Sequence, residues 1–373
     1  MENKRNRVAL GATATAAVLA LGVSACGGGS KTDSAATAAS SKTAASSGGT
    51  INGAGSTLAA PVYQQWGANL KGQGITLNYQ PVGSGAGVTA WEQGTADFAA
   101  SDPALKDDEL GAASAKGGQP VHIPTVLGAI TVSYDLGGVK TGLHLDGPTI
   151  AAIYLGKVTK WNAPQIAKLN PGVSLPAKAI TVVHRSDSSG TTKGFTQFLA
   201  DYSSAWKSGP GVDKTVKWPT GLGAKGNNGV AAAIKQSDGT IGYVESAYAL
   251  QNGFTFAAVK NKSGTFVTPD LASTSAAATG LSLPADLRFS AIDAPGASAY
   301  PIVSQTFVIA HRDLCRGGMS AGTAKAFKAF LDYGLGAGQG VAKQLSYAPL
   351  PAPLLAKAKA QVAKLACDGK PIG

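Results

Sequence analysis

The chain has 373 residues, of which 44% are hydrophobic and 14% charged. That balance suits a globular protein of about two domains and excludes an intrinsically disordered chain. The 32 Lys and Arg against 21 Asp and Glu give a formal net charge of +11, which favours anionic partners. The lysines are scattered, however, with no basic stripe interleaved with aromatics, so the pattern argues against a nucleic-acid-binding surface.

Residues 1–25 read as a signal peptide. Lys4, Arg5 and Arg7 form a basic n-region, and Val8 to Val23 is an Ala/Leu/Val stretch too short and small-sided for a spanning helix. Val23-Ser24-Ala25-Cys26 has the form of a bacterial lipobox, which makes Cys26 the lipid-bearing (palmitate) mature N-terminus; the alternative is an ordinary signal peptide with a chance cysteine. Residues 26–49 are Gly, Ser, Ala and Thr with little else, the composition of a flexible linker. Setting residues 1–49 aside leaves 27 Lys and Arg against 19 Asp and Glu, or +8, on the folded part.

From Thr50 onward, strand and helix patterns alternate. Gly53-Ala54-Gly55-Ser56-Thr57 precedes a helix with Val62, Trp66 and Leu70 on one face. Ile75–Val82 reads as a strand, and Gly83-Ser84-Gly85-Ala86-Gly87 opens a helix through Val88 and Trp91. Ala96–Ser101 is a strand followed by Asp102-Pro103; on the residues alone Asp102 reads as a helix cap, as do Asp97 and Asp107. Val121–Asp135 is a long apolar strand, and Asp146-Gly147-Pro148-Thr149 starts a helix with Pro near its first turn. Ala179–His184 is a strand, after which Phe195, Phe198, Leu199 and Tyr202 recur at helical spacing. Thr240–Val244 and Thr306–His311 complete the strands. The alternation predicts an α/β architecture.

Three of the strand-to-helix turns are rich in glycine and hydroxyls. At each, free backbone N–H groups and the positive end of the helix dipole converge, and glycine lets backbone approach a ligand closely. The third, Ser186 to Thr192, also follows Arg185, whose planar fork of donors suits phosphate or carboxylate. The plainer alternative is capped helices and a surface arginine.

Other chemistry fares worse. Gly318-Met319-Ser320-Ala321-Gly322 matches the nucleophile-elbow pattern, but that fold needs its histidine after the serine, and His122, His144, His184 and His311 all precede Ser320. There is no phosphate-binding Walker loop, no full dinucleotide-binding spacing and no Cys/His cluster at metal-ligand spacing. The expectation is a protein without enzymatic activity, cofactor or metal. Once Cys26 is lipidated, Cys315 and Cys367 remain. An even pair in an exported chain suggests a disulfide, with two free thiols as the alternative.

GAGSTLAAPVYQQW, NYQPVGSGAGV, DFAASDPAL, the pair HIPT and VLG, IYLGKVTKWN, VVHRSDSSGTTKGF, VKWPTGLGAKGNNGVAA and IGYVESAYA together resemble, in order, the phosphate-binding proteins of ABC phosphate transporters. The resemblance spans about Gly49 to the C-terminus. It implies a periplasmic-binding-protein-like (type II) fold, with two α/β lobes joined by a two-crossing hinge and the ligand in the cleft. One lobe would be residues 50–127 plus 300–373 and the other 128–299, with hinges near Val126–Gly128 and Tyr300–Ser304. The ligand contacts it implies are Thr57, Leu58 (through its backbone N–H), Ser84, Asp102, Arg185, Ser189, Gly190 and Thr191. Separately, Asp187 is expected to bond Arg185 and fix its orientation. His184 stands where the family can have arginine. Ser188 stands where glycine is common, so its φ must stay negative.

The implied function is a monomeric, extracytoplasmic receptor, lipid-anchored to the cell membrane, that binds inorganic phosphate and delivers it to ABC permease subunits served by a separate ATPase. The alternatives weighed are a receptor for another oxyanion such as sulfate, a secreted phosphatase or hydrolase, and a surface adhesion or sensing protein.

Overall fold

Residues 48–373 are described by a computed structural model; the leader, Cys26 and nearly all of the Gly/Ser/Ala/Thr linker lie outside the described residues. The apolar runs form nine strands of one sheet: β1 (Gly49–Gly55), β2 (Ile75–Gln80), β3 (Phe98–Ser101), β4 (Pro120–Asp135), β5 (Thr181–Arg185), β6 (Leu222–Ala224), β7 (Thr240–Glu245), β8 (Thr255–Phe256) and β9 (Val303–His311). Their order is β2-β1-β3-β9-β4-β7-β5-β6, with β8 added on β4.

The long strand β4 decides the architecture. It has 16 residues, and all but the last are buried. Pro120 to Ala129 pairs antiparallel with β9, whereas Ile130 to Asp135 pairs antiparallel with β7. One continuous strand thus belongs to two half-sheets. On one side β2, β1 and β3 run parallel; on the other β7, β5 and β6 do. Parallel strands need cover on both faces. Here it comes from α1 (Ala60–Leu70), α2 (Ser84–Glu92), α3 (Asp107–Gly117), α4 (Gly147–Tyr154), α5 (Gly190–Tyr202), α6 (Gly226–Ile234), α7 (Ser246–Gln251), α8 (Ala321–Gly334) and α9 (Ala352–Val362). No helix among the described residues is long and apolar enough to cross a membrane.

Helix α1 shows how the pattern becomes packing. Val62, Tyr63, Trp66 and Leu70 are fully or almost fully buried, and Trp66 meets Phe330 of α8 edge-on at 5.9 Å. The indole N–H of Trp66 donates to the Gly338 carbonyl at 2.9 Å, so its one polar atom is satisfied in the core. Each such side chain contributes about 1.5–3 kcal/mol on burial.

The expected strands are present with shifted ends. The second stops at Gln80 rather than Val82, the third starts at Phe98, the fifth runs Thr181–Arg185, and the last starts at Val303 rather than Thr306. Strand β1 has no counterpart in the sequence reading, because GTINGAG is too rich in glycine to read as a strand. Packing requires those glycines. A Cβ at Gly53 would lie 2.1 Å from the Phe98 ring, and Gly55, at φ +140°, would bring one within 2.0 Å of the Ala100 carbonyl oxygen.

Cys315 and Cys367 form a disulfide across 52 residues, with Cα atoms 4.7 Å apart. It ties the segment after β9 to the hairpin after α9. Closing a loop of that size stabilises by about 4 kcal/mol in the chain-entropy account. Cys315→Ala/Cys367→Ala should therefore unfold at markedly lower urea than the oxidised chain, and equal midpoints would rule this contribution out.

Candidate anion-binding site

The carboxyl ends of β1, β3, β5 and β6 point to one place, where α1, α2, α5 and α6 begin. This is where open α/β sheets bind ligands. The sequence-predicted residues converge there from both half-sheets. Thr57, Leu58, Ser84 and Asp102 come from one side; Arg185, Ser189, Gly190 and Thr191 come from the other. All are buried, Asp102 at 1% and Arg185 at 3% exposure. The two sides touch through Gly190. A Cβ there would lie 2.4 Å from Asp102 Oδ2 and 2.5 Å from Ser84 Oγ, so only glycine at the first position of α5 permits this approach.

Asp102 caps no helix. Its Oδ1 accepts from Ser56 Oγ at 2.5 Å and from Thr306 Oγ1 at 2.9 Å. Oδ2 receives only a long bond from Ser84 Oγ, 3.4 Å. One oxygen is saturated from behind and the other faces Gly190 across the cleft. Burial pushes the carboxyl up to about 6, against the pull of the three hydroxyls and the Arg185 charge. Asp97 is not a cap either: it accepts the N–H of Asn52 at 2.6 Å, joining β1 to the turn before β3. Asp107 is the first residue of α3 and pairs with Arg288 at 2.7 Å.

Arg185, the last residue of β5, is held in a fork. Nε donates to Asp187 Oδ1 at 2.7 Å and Nη2 to Asp187 Oδ2 at 2.5 Å. Nη1 reaches Thr191 Oγ1 at 3.4 Å. Asp187 also accepts the Gly226 N–H at 3.0 Å. Burial alone would raise the Asp187 carboxyl, but the guanidinium and that N–H outweigh it and hold it below its ordinary value. The pair carries no net charge, yet it leaves guanidinium hydrogens available for a ligand.

The hydroxyls are oriented by what donates to them. A hydroxyl has one hydrogen and two acceptor positions. Thr57 Oγ1 accepts from the N–H and the Nδ2 of Asn227, at 3.2 and 2.9 Å. Thr191 Oγ1 accepts from Arg185 Nη1 and Asn227 Nδ2, both at 3.4 Å. Ser189 Oγ, the N-cap of α5, accepts the Thr192 N–H at 3.1 Å. With both acceptor positions engaged on Thr57 and Thr191 and one on Ser189, all three hydroxyls have their hydrogens left to give. The first N–H groups of α5 have no partner within the helix and add to the donor set. The Leu58 N–H donates to Ser56 Oγ at 3.1 Å.

Ser56, Asn227 and Thr306 were missed by the sequence reading. Ser56 lies inside a stretch already singled out. Asn227 was legible in principle: Gly226-Asn227-Asn228-Gly229 is a fourth glycine-rich helix start, with Gly226 at φ +71°. Thr306 sits inside a buried strand, where a β-branched residue signals nothing. His184 brings no charge to the site. It stacks on Trp218 at 4.7 Å, and its burial lowers its pKa. Ser188 is not among the described residues with positive φ, so it fits the turn without glycine. Ser320 caps α8 by accepting the Thr323 N–H at 3.1 Å, so the Gly318–Gly322 motif forms a helix start.

Two α/β halves that share a strand and line a buried pocket of donors define a periplasmic-binding-protein-like receptor of type II. Residues 38–336 match the family model described as a PBP superfamily domain. The Phosphate-binding protein PstS of Pasteurella multocida is 40% identical over 316 residues, covering 84% of this chain and 89% of that protein. The protein of the same name from Haemophilus influenzae is 39% identical over 316 residues, covering 84% and 92%. A solved high affinity periplasmic phosphate-binding protein (PfluDING) bound with phosphate superposes with a TM-score of 0.70 at 25% identity, covering 84% of this chain and 93% of that one. The chain belongs to the PstS family of phosphate-binding proteins.

Proposed function

We propose that this protein is an extracytoplasmic receptor that closes on inorganic phosphate and hands it to a membrane ABC permease. The observation that carries the reading is the state of Asp102. A buried carboxylate in a pocket of donors repels an anion unless that anion has a proton to give. Hydrogen phosphate has one at neutral pH and sulfate has none, so Asp102 Oδ2 selects between them.

The donors suit the rest of the ligand. A buried dianion is costly unless its oxygens are paired. Hydroxyls of Thr57, Ser189 and Thr191, the first N–H groups of α5 and the Arg185 fork supply that pairing, at about 1.5–3 kcal/mol per charge-assisted bond before ordering costs. A micromolar complex needs about 8 kcal/mol net. Ser84 Oγ, 3.4 Å from Asp102 Oδ2, borders the same acceptor oxygen. The neutral Arg185–Asp187 pair gives directed donors without a large local charge.

The lobes of this reading are residues 50–127 plus 300–373 and residues 128–299. The change of partner along β4 after Ala129 supports the first crossing. The bond from the Ile130 N–H to the Ile302 carbonyl, 2.7 Å, supports a second crossing beside it. The lipobox at Val23–Cys26 and the linker after it support export and a lipid anchor that lets a monomeric receptor reach its permease; the chain itself carries out no bond-breaking.

Calorimetric titration of the stripped protein tests the function. Phosphate and arsenate should bind and compete, while sulfate should not. A folded, stripped protein that binds no oxyanion would overturn the reading.

A further inference from the structure

Glu245 ends β7 and is fully buried. Its Oε1 accepts from Ser246 Oγ at 2.8 Å and its Oε2 from the Ala247 N–H at 2.9 Å. Oε2 also lies 3.0 Å from the hydroxyl of Tyr347, and that hydroxyl lies 2.7 Å from the carbonyl oxygen of Leu58. Glu245 belongs to the half-sheet of β5 to β7. Leu58 belongs to the other, and Ala348, next to Tyr347, is bonded in both directions to Leu127 on the first half of β4.

The hydrogens in this chain can be counted. Tyr347 has one, and a carbonyl can only accept. If Tyr347 gives its hydrogen to Leu58, the 3.0 Å contact with Oε2 is a hydrogen bond only when Glu245 carries a proton. If Tyr347 gives it to Glu245, the Leu58 carbonyl faces bare lone pairs at 2.7 Å. Only a protonated Glu245 satisfies both contacts.

We propose that Glu245 is a proton-carrying positioning residue: in the closed form it donates to Tyr347, which donates to the Leu58 carbonyl, so that closing on the ligand takes up a proton. The proposal rests on the phosphate-receptor reading above. Leu58 lies between Thr57 and the start of α1, so the relay fixes the peptide that carries the binding loop.

The surroundings agree. None of the hydrogen-bond partners of Glu245 among the described residues is a cation. The groups facing it are Tyr347, Tyr248 on α7, whose hydroxyl donates to the Thr57 carbonyl at 2.9 Å, and Asn227 on α6, which accepts the Glu245 N–H at 3.0 Å. From β4 it faces Ile130, its register partner, and Gly128, where a Cβ would lie 3.4 Å from Oε1, and neither is titratable. Asp102 and Arg185, in the site itself, act on Tyr347 and Tyr248 from further off. Burial without an opposing charge pushes the carboxyl up to about 8. Burial also raises Tyr347 well above its ordinary value, so its hydroxyl keeps its hydrogen.

The sign follows from linkage. Separating the halves removes Tyr347 from Glu245, admits water and returns the carboxyl towards about 4.3. Between that value and about 8, closure binds up to one proton, so affinity falls by up to tenfold per pH unit as pH rises. Phosphate ionises in the same range, and Glu245→Gln removes that ambiguity because its amide mimics the protonated acid. Phosphate titrations of the wild type and Glu245→Gln should converge on equal affinities as pH falls to about 4, with the wild type weakening relative to the variant by up to tenfold per unit above about 4.3. Buffers of different ionisation enthalpy should count one proton fewer for the variant. Tyr347→Phe should bind roughly five- to tenfold more weakly but keep the slope, because the burial that raises Glu245 is unchanged. A wild-type-to-Gln ratio that stays constant with pH, or an unchanged proton count, would overturn the relay while leaving the receptor standing. A folded wild type that binds no phosphate at any pH would overturn both.

Discussion

Arg185→Ala should weaken phosphate binding by roughly 30-fold to several thousand-fold, the range for truncating one partner of a buried, hydrogen-bonded charge set. Two effects add. The ligand loses the free hydrogens of the guanidinium, and Asp187 loses both bonds of its fork while only 10% of its side chain is exposed. An uncompensated buried carboxylate costs about 3–5 kcal/mol, so the single variant should also be less stable. Arg185→Lys separates the two effects. It keeps the charge beside Asp187 but cannot hold a two-point contact and still present donors. Its stability should recover much of the loss, and its phosphate affinity should not. Arg185→Ala/Asp187→Ala should be more stable than Arg185→Ala alone and bind no better. Calorimetry and urea unfolding on the same samples check both halves, and wild-type affinity in Arg185→Ala would remove this residue from the site.

Asp102→Asn should trade selectivity for affinity. Ser56 Oγ and Thr306 Oγ1 both deliver hydrogens to the Oδ1 position, so the amide oxygen must take that place. The NH2 then occupies the Oδ2 position, beside Ser84 and Gly190. An acceptor becomes a donor at one defined point. Phosphate, whose O–H now meets a donor, should bind about ten- to a hundredfold more weakly, while sulfate gains a hydrogen bond to a charged oxygen. Low pH should imitate the variant. Burial raises the Asp102 carboxyl to about 6, so the acceptor form and its discrimination hold above that value. As pH falls below it, the protonated carboxyl offers its own hydrogen and sulfate binding should emerge. Competition between labelled phosphate and sulfate at two pH values decides the matter. Unchanged exclusion of sulfate by Asp102→Asn would discard the proton test.

What could be read beforehand followed periodicity. Val62, Trp66 and Leu70, or Phe195, Phe198 and Leu199, announce helices because one face of each is buried. Residues before α2 and α5 announce an anion site because glycine and serine at a helix start leave N–H groups free. Asp102 did not announce its role: on residues alone it resembles a cap, and its carboxylate is aimed by Ser56 and by Thr306, which is 204 residues away. Asn227 and Glu245 act through partners on other elements, so local pattern is silent about them. Strand β1 was hidden for the same reason, since its glycines answer to the Phe98 ring and the Ala100 carbonyl rather than to any intrinsic preference.

The shared strand β4 also governs the order in which the molecule can be made. Its first ten residues find their strand partner in β9, where Pro124 lies opposite Phe307. Until more than four-fifths of the sequence is available, one flank of β4 and one flank of β3 stand as bare, apolar strand edges. Pairing across such a separation is slow, and open edges of this kind associate with one another. The same strand that joins the two half-sheets therefore leaves the nascent chain in need of protection, and a chain cut before Val303 should collect in aggregates rather than as a soluble half.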